Sequence, residues 1–223
     1  FDATPARAGM MDTSRVSRAP RPMLRSALLN VMIKAARKAG RTLKRDFGEV
    51  ENLQVSLKGP ANFVTMADKR AEEMLLADVT KARPGYGFIG EEGGVRIGDD
   101  KTHTWIVDPL DGTTNFLHSF PVFAVSIAVE HRGRLEHAVV YDPMRQELFT
   151  ASRGGGAQVD GRRIRVSKQT TLEGALVATG FPQRDNSRWL DDYMAMLKAM
   201  MLATAGVRRP GAASLDLAYV AAG

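Results

Sequence analysis

Hydrophobic positions recur at helical spacing near both ends of the chain and in short runs between them. Apolar side chains return every three or four positions between residues 22 and 47, which predicts an amphipathic helix that ends near Gly48. A second helix is predicted over 68–82, where Pro84-Gly85 would end it. The other stretches with helical spacing are 187–203 and 213–222.

Short apolar runs separated by turn residues fill the middle of the chain, and this pattern predicts strands. The runs lie at 63–65, 87–89, 105–107, 122–129, 135–141, 147–151 and 175–179. Brief turn sequences separate the fourth, fifth and sixth runs, which is typical of an antiparallel meander. Helices on both sides of a block of strands favour a layered α+β fold over an alternating parallel one.

Two glycine-containing segments are predicted to be turns. Lys58-Gly59-Pro60 precedes the first strand run and has the composition of a turn. The segment 153–156 contains three consecutive glycines, which could form either a phosphate-binding nest or a hairpin loop. Because strand signals lie on both sides of it, with no following helix or Lys-Ser/Thr pair, the hairpin loop is favoured.

The composition is that of a soluble globular protein. Hydrophobic residues make up 44% and charged residues 25% of the 223 positions, which argues against disorder. No apolar run approaches the roughly 20 residues that cross a bilayer, so no membrane span is predicted. The chain has no cysteine, which excludes disulfides and thiolate chemistry and fits a reducing, cytoplasmic location.

The net charge is +6, and the first 45 residues carry a basic excess, because 11 basic residues there face only Asp2 and Asp12. This excess indicates either a solvated leader followed by the polar face of a helix, or a basic arm that touches nucleic acid. Residues 1–21 show no periodicity and lack the apolar stretch of a secretory signal. They are therefore predicted to be a disordered leader or extension, and 22–223 a single domain.

Acidic residues follow the ends of predicted strands. Asp108 comes directly after the apolar run at 105–107, and Asp111 follows it across Pro109. On a turn, two carboxylates three residues apart can converge, whereas on an extended strand they would lie on opposite faces. Glu91 follows the run at 87–89 in the same way. We therefore expect these three carboxylates to gather around a cation.

The residue types indicate which ion binds, but they leave open a structural alternative for the site and the role of Asp68. All-oxygen ligation indicates a hard cation, and Mg²⁺ is usual where the substrate is a phosphate. The backbone amides of Gly112 and Thr113 suit a phosphate or another anion. A structural Ca²⁺ loop remains an alternative. Asp68, at the predicted start of a helix, is either a member of this site or a helix N-cap.

Several motifs of the chain resemble those of a known family. The segment from Asp108 to Phe116, with Pro121 and 124–128, resembles the inositol monophosphatase signature DPxDGTxNFxH…P…VSIA almost letter for letter. Other family motifs match in the same order: 64–68 (VTxxD), 90–92 (GEE), the strands 140–143, 147–151 and 178–182, and the pocket segment 208–223. The resemblance covers about residues 22–223 and is closest to the bacterial SuhB-type branch.

The resemblance implies an αβαβα sandwich of the type shared with fructose-1,6-bisphosphatases. It also implies about two or three Mg²⁺ ions and inhibition by Li⁺. The implied metal ligands are the carboxylates of Glu91, Asp108 and Asp111 and the carbonyl oxygen of Leu110.

Further residues acquire roles from the same resemblance. The Gly112 and Thr113 amides would hold phosphate, and the Thr113 hydroxyl would orient the attacking water together with Asp68, with Glu91 also counted as catalytic. Direct attack by water implies that no phosphoenzyme forms. Gly211 and Ala213 fall where the family contacts the inositol ring, and these contacts complete the implied substrate site.

His118, beside the motif, is not expected to act in catalysis. Pro210 and Ala212 replace small or polar residues that are common in the family's pocket strand, so the ring specificity is left open. Family members also continue into a WDxAAG element whose Asp is a further ligand. The chain therefore resembles a member with its last part missing, and weaker binding of a second ion and reduced activity are expected.

The implied activity is Mg²⁺-dependent hydrolysis of a small phosphorylated polyol, most directly myo-inositol monophosphate. Fructose 1,6-bisphosphate, histidinol phosphate and nucleotide 3′-phosphates stay open as substrates, because phosphatases for them share the metal motif. The SuhB-type branch also implies an association with transcription or RNA, to which the basic N-terminal helix could contribute. The family often forms homodimers, although no single residue here indicates one.

Overall fold

Helices lie at both ends of the described chain, as the hydrophobic spacing predicts. The structure is a computed structural model that describes residues 26–49, 55–59, 62–182 and 184–223. Its α-helices are α1 (Ala27–Phe47), α2 (Met66–Ala82), α3 (Thr113–Leu117), α4 (Leu190–Ala203) and α5 (Ala213–Ala222). A 3₁₀ helix spans Arg184–Trp189. None of the helices in these described segments has both the length and the apolar character that crossing a membrane requires.

Twelve strands occupy the described residues between and beside the helices. They are β1 (Val55–Gly59), β2 (Asn62–Thr65), β3 (Tyr86–Gly90), β4 (Gly94–Arg96), β5 (Asp100–Asp111), β6 (Ala124–His131), β7 (Arg134–Asp142), β8 (Glu147–Ser152), β9 (Gly156–Val159), β10 (Arg162–Arg163), β11 (Leu176–Ala178) and β12 (Gly206–Arg208). Eight of them form one sheet in the order β10-β9-β8-β7-β6-β5-β3-β4. From β5 to β10 every neighbouring pair is antiparallel, which confirms the predicted meander.

The large sheet separates two hydrophobic clusters. On one face α1 and α2 pack against its central strands, and the apolar stripe of α1 is buried there. On the other face Leu215 of α5 packs with Ala124 and Phe149. Alternate residues of β6 therefore serve different clusters, because successive side chains of a strand point to opposite faces. Strand β11 and α5 line a common cavity, and α4 contacts β12, which completes a layered α+β sandwich.

Most predicted elements agree with the structure, and the differences are local. Helix α1 begins at Ala27, where the Ser26 hydroxyl accepts a hydrogen bond from the Leu29 amide, and it ends at Gly48 as predicted. The predicted turn at 58–60 is wrong for its first two residues, because Lys58 and Gly59 continue β1 in a hairpin with β2. The predicted leader (1–21) and the predicted helical residues 22–25 lie outside the described residues.

Two further differences concern short elements. Residues 187–189, predicted as the first turn of an α-helix, belong to the 3₁₀ helix before α4. In the glycine-rich segment, residues 153–155 form the turn between β8 and β9, as predicted for a hairpin loop, and Gly156 begins β9. The strands β1, β4, β9, β10 and β12 were not predicted; β4, β10 and β12 have only two or three residues, which are too few to establish a period of alternation.

Candidate active site

Strand β5 carries two of the predicted carboxylates at its end. The strand continues through Asp111 instead of ending before Asp108, so the predicted turn is wrong. Asp108 pairs with Ser126 and Asp111 with Ala124, so three steps along β5 match two along β6. The extra residue is a bulge, and a bulge reverses the alternation of side chains beyond it. The two carboxylates therefore share one side of the strand, as the convergence hypothesis requires.

Glu91 lies beside Asp108. It is the first residue of the turn between β3 and β4, and β3 runs parallel to β5 with Gly90 opposite Val107. Burial, the charges of Glu91 and Asp111, and a hydrogen bond with the Glu91 side chain raise the pKa of Asp108 to about 8. A carboxyl group among like charges resists ionisation unless a cation joins them. The structure thus brings together the three carboxylates that the sequence predicts as a cluster.

Asp111 also contacts the start of α5. One of its carboxylate oxygens accepts hydrogen bonds from the amide and the hydroxyl of Ser214, at 2.6 and 2.5 Å. The other accepts a hydrogen bond from the Ala213 amide at 3.3 Å. Helix α5 has no side-chain cap of its own at Ala212, so Asp111 satisfies its first amides. The pocket segment is thereby tied directly to the carboxylate cluster.

Asp68 and Thr113 form a second contact at the site. The Thr113 hydroxyl lies 3.0 Å from a carboxylate oxygen of Asp68 and 3.1 Å from the carbonyl oxygen of Leu110, and can donate to either. Asp68 is 1% exposed and lies inside the first turn of α2, which begins at Met66. It is therefore not the helix N-cap. The structure brings Asp68, Leu110 and Thr113 to one place.

Gly112 is held in a conformation that glycine adopts readily. Its φ angle is +98°, and a Cβ atom there would lie 2.9 Å from the Val122 carbonyl oxygen. It precedes the first residue of α3, so the Gly112 and Thr113 amides lie at the end of β5 beside Asp111. Backbone amides in this position are suited to an anion.

Gly211 lies next to this segment through Asn115. The buried Asn115 side chain donates to the carbonyl oxygens of Val122 and Pro210, both at 2.8 Å. A Cβ atom on Gly211 would lie 3.0 Å from the Asn115 amide group. Gly211 and Ala213 are thus near the cluster, through Asn115 and Asp111. His118, which was not expected to be catalytic, is exposed at the end of α3.

The donor set fits a hard divalent cation. Its groups are carboxylate and carbonyl oxygens, which are the ligands that Mg²⁺ prefers. Across the described ranges, no three acidic or histidine side chains are already arranged to enclose an ion. Asp111 turns toward Ser214, and Asp108 bonds to the Leu110 amide and to Glu91. The raised pKa of Asp108 shows that the cluster is electrostatically suited to take up positive charge.

Four residues of this region were missed by the sequence reasoning: Glu72, Asn115, Ser214 and Asp216. Glu72 is buried and hydrogen-bonds to the turn that carries Glu91. Burial and the charge of Asp111 raise the pKa of Asp216, one turn into α5. One signal was available for Glu72: it lies four residues after Asp68 and so shares its helix face. Asn115 lies within the matched signature and Ser214 and Asp216 within the pocket segment, but their contacts with this site are evident only from the tertiary structure.

Comparison with known proteins gives a consistent result. A sequence model of the inositol monophosphatase family matches residues 24–223. An inositol-1-monophosphatase of Mesorhizobium japonicum is 54% identical over 201 residues, which are 90% of this chain and 75% of the relative. A protein of Pseudomonas aeruginosa named Nus factor SuhB is 52% identical over 199 residues, covering 88% of this chain and 73% of the relative.

Solved structures share the fold. The SuhB protein of Bartonella henselae has a TM-score of 0.86 and 54% identity, over 89% of this chain and 76% of that one. The IMPase of Thermotoga maritima has a TM-score of 0.78 and 35% identity, over 87% of this chain and 72% of that one. The chain thus spans about three quarters of the length of the proteins it matches.

Proposed function

Since this chain belongs to the inositol monophosphatase family, a family of phosphatase hydrolases, we propose that it hydrolyses a small phosphorylated polyol with Mg²⁺ as its cofactor. The first candidate substrate is myo-inositol monophosphate, because relatives above half identity are named inositol-1-monophosphatases. The alternatives are fructose 1,6-bisphosphate, histidinol phosphate and nucleotide 3′-phosphates. The homodimer and the cytoplasmic location stay predictions.

One observation carries the proposal. Asp108 lies against Glu91 and near Asp111, and burial, together with the charges of these two carboxylates, raises its pKa to about 8. A divalent cation, when bound, stabilises charge on phosphoryl oxygens and lowers the pKa of a water ligand. Glu91, Asp108, Asp111 and the Leu110 carbonyl oxygen are the groups that would hold it. At neutral pH the Asp108 carboxyl group would lose its proton on metal binding, since ligating carboxylates must be ionised.

The remaining residues act on the substrate and on water. The amides of Gly112 and Thr113 would bind the phosphate at the end of β5. The Thr113 hydroxyl, hydrogen-bonded to Asp68, would orient the attacking water and pass its proton toward that carboxylate. Gly211 and Ala213, tied to the cluster through Asn115 and Asp111, would contact the polyol.

The proposal is tested by Mg²⁺ binding and phosphate release in the Glu91→Gln variant. We expect the Mg²⁺ dissociation constant, measured by titration calorimetry, to rise at least about tenfold, because an ionised ligand becomes neutral. Phosphate release from myo-inositol monophosphate should fall with it. The control is Asp99→Asn, which removes an exposed carboxylate from the segment before β5.

Two further measurements separate the alternatives. Release rates for the four substrates, compared in one protein preparation, rank the substrate classes. A site that bound Ca²⁺ more tightly than Mg²⁺ and released no phosphate from any of them would instead support a structural Ca²⁺ loop. Unchanged Mg²⁺ affinity in Glu91→Gln would show that the proposed metal site is wrong.

A second candidate function is RNA binding by α1, and it rests on a separate surface. Arg37, Arg41 and Lys44 lie on successive turns of α1 and line a depression of about 340 Å³ with Tyr141 and Gln146. Within the described ranges these three cations have no hydrogen-bond or ion-pair partner, unlike Lys38, which pairs with Asp78. Several relatives are named Nus factor SuhB, and an unpaired basic surface suits a phosphate backbone.

Charge reversal tests this surface. The triple variant Arg37→Glu, Arg41→Glu, Lys44→Glu should bind a single-stranded RNA at least about tenfold more weakly at low salt. The slope of log K against log salt should fall by about two, near 0.7 for each lost phosphate contact. The matched control reverses three exposed arginines elsewhere, Arg132, Arg134 and Arg162. RNA affinity is measured by fluorescence anisotropy. An equal loss of affinity in both variants would show that net charge, and not this surface, causes the weaker binding.

A further inference from the structure

We propose that Glu72 is a positioning residue that holds the Glu91 turn against Asp108. The inference rests on the proposed function and extends it to a side chain that is not among the proposed metal ligands or substrate contacts. Glu72 lies in the middle of α2 and is 5% exposed. A buried carboxylate is costly unless its oxygens are hydrogen-bonded, so its partners indicate what the group does.

Both oxygens of Glu72 accept hydrogen bonds from one turn. One accepts from the Glu92 amide at 2.7 Å and the other from the Gly93 amide at 2.5 Å. These amides belong to the two residues that directly follow Glu91. A carboxylate that accepts two consecutive amides fixes the direction of the peptide chain there, because both bonds must be satisfied together. The backbone of Glu91 is thereby placed at the end of β3.

The glycines around Glu91 leave the space that Glu72 occupies. A Cβ atom on Gly90 would lie 2.5 Å from one oxygen of Glu72, and a Cβ atom on Gly93 would lie 2.6 Å from the other. Neither glycine has a positive φ angle, so their backbone conformation does not require glycine. Close approach to the Glu72 carboxylate therefore leaves no room for a side chain at Gly93 and, together with the Phe88 ring 2.7 Å away, none at Gly90.

Helix α2 thus connects the two halves of the site. Asp68 and Glu72 are one turn apart, and Asp68 contacts Thr113 while Glu72 contacts the Glu91 turn. The helix itself is held by Ala71, Leu75 and Val79, which are fully buried. A displacement of Glu72 from the Glu91 turn would change the position of a metal ligand without removing any ligand.

The experiment is a calorimetric titration of the metal-free protein with Mg²⁺. We expect Glu72→Gln to raise the Mg²⁺ dissociation constant about 10- to 100-fold, the range for residues that orient metal ligands. A carboxamide offers one acceptor oxygen, so one of the two turn amides would face an NH₂ group. A merely structural role would lower the fraction of folded protein, and with it the titrated stoichiometry, while leaving the dissociation constant unchanged.

Two further variants separate position from charge. Glu72→Asp keeps the negative charge but is one methylene too short to reach both amides, so it should weaken Mg²⁺ binding as Glu72→Gln does. The matched control is Glu73→Gln, which removes an exposed carboxylate from the next position of α2. Full Mg²⁺ affinity in Glu72→Asp would show that only the charge matters and would overturn the proposal.

Gly93→Ala provides a test that leaves Glu72 in place. Its Cβ atom would collide with the Glu72 carboxylate, so the turn should shift and Mg²⁺ affinity should fall about tenfold. If Glu72→Gln does not fold, Gly93→Ala tests the proposal in its place. An unchanged Mg²⁺ dissociation constant in Gly93→Ala would overturn the proposal. Glu91→Gln, titrated in parallel, tests the proposed function separately: if it too binds Mg²⁺ normally, the metal site itself is wrong.

Discussion

Replacing Asp108 with Asn is expected to stabilise the metal-free protein at pH 8 while removing its affinity for Mg²⁺. The pKa of Asp108 is raised from 3.8 to about 8, first by burial and then by the charges of Glu91 and Asp111. At a pH between these two pKa values, Asp108 therefore keeps its proton in the folded state but has lost it in the unfolded state. Asn imitates the protonated carboxyl group and never has to ionise.

The sign of the pH dependence follows from this proton. Below about pH 4 Asp108 is protonated in both states, so its contribution to stability is fully present. Between about pH 4 and 8 the unfolded state binds fewer protons than the folded state, so the free energy of unfolding falls as the pH rises. Above about pH 8 the loss is complete. Added Mg²⁺ should reverse it in the wild-type protein, because the metal replaces the proton.

At about 1.4 kcal/mol per pKa unit, reduced by roughly half because Asp108 is only half-buried, the free energy of unfolding of Asp108→Asn should exceed that of wild type by on the order of 3 kcal/mol at pH 8 without metal. Near pH 4 the two should differ little. For a chain of this size 3 kcal/mol corresponds to roughly 6–12 °C in melting temperature. Calorimetric melting at both pH values checks this, with Asp99→Asn as the exposed control. A lower melting temperature for Asp108→Asn at pH 8 would contradict the prediction.

The same substitution should abolish function. Asp108 is the carboxylate on which the charges of Glu91 and Asp111 converge, so no neighbour can replace it as a ligand. We expect Mg²⁺ titration to show no saturable site and phosphate release to fall at least about a thousandfold, equivalent to about 4 kcal/mol of transition-state stabilisation. A protein that is more stable and yet inactive distinguishes loss of a site from loss of folding.

Thr113→Val is expected to lower the turnover number about 100- to 10,000-fold while leaving Mg²⁺ affinity nearly unchanged. This is the range for a group that takes part in proton transfer. Valine keeps the shape of threonine but removes the hydroxyl that hydrogen-bonds to Asp68, so neither the water nor its proton is directed. Asp68→Asn should have the same effect, because it removes the acceptor of that proton.

The comparison of three variants makes this prediction specific. Thr113→Ser keeps the hydroxyl and should retain most activity, whereas Thr114→Val alters an exposed neighbour on the same short helix and should retain nearly all of it. Phosphate release at saturating Mg²⁺ gives the turnover number, and calorimetry gives the metal affinity. If Thr113→Val weakened Mg²⁺ binding and left turnover at saturating Mg²⁺ intact, the threonine would belong to the metal site instead.

The elements that the sequence predicts correctly are those long enough to show a period. Helix α1 buries a stripe of apolar side chains and ends at Gly48, and both features can be read from the residues alone. The meander from β6 to β8 follows from apolar runs separated by short turns. By contrast, β11 and β12 pair in parallel across a 3₁₀ helix and α4, and nothing local to three residues specifies that partner.

The carboxylate cluster shows a similar division. The identities of Glu91, Asp108 and Asp111, and the all-oxygen chemistry they imply, were evident from their positions after apolar runs. The means of their convergence was not. A turn was expected, whereas the strand continues and a bulge opposite β6 reverses the alternation of its side chains. Pro109, a residue that strands accept at bulges and edges, is a local signal of the irregularity, but the bulge itself is defined only by the pairing with the neighbouring strand.

The sequence by itself therefore determined the chemical groups, the long periodic elements and the family to which they belong. Only the tertiary structure decided which of these groups meet. It joined Asp68 to Thr113 across 45 positions and Glu72 to the amides of Glu92 and Gly93 across 20 and 21. These contacts form when α2 packs on the sheet and its polar side chains become buried. A buried polar group needs a hydrogen-bond partner, and tertiary packing determines which groups are close enough to provide one.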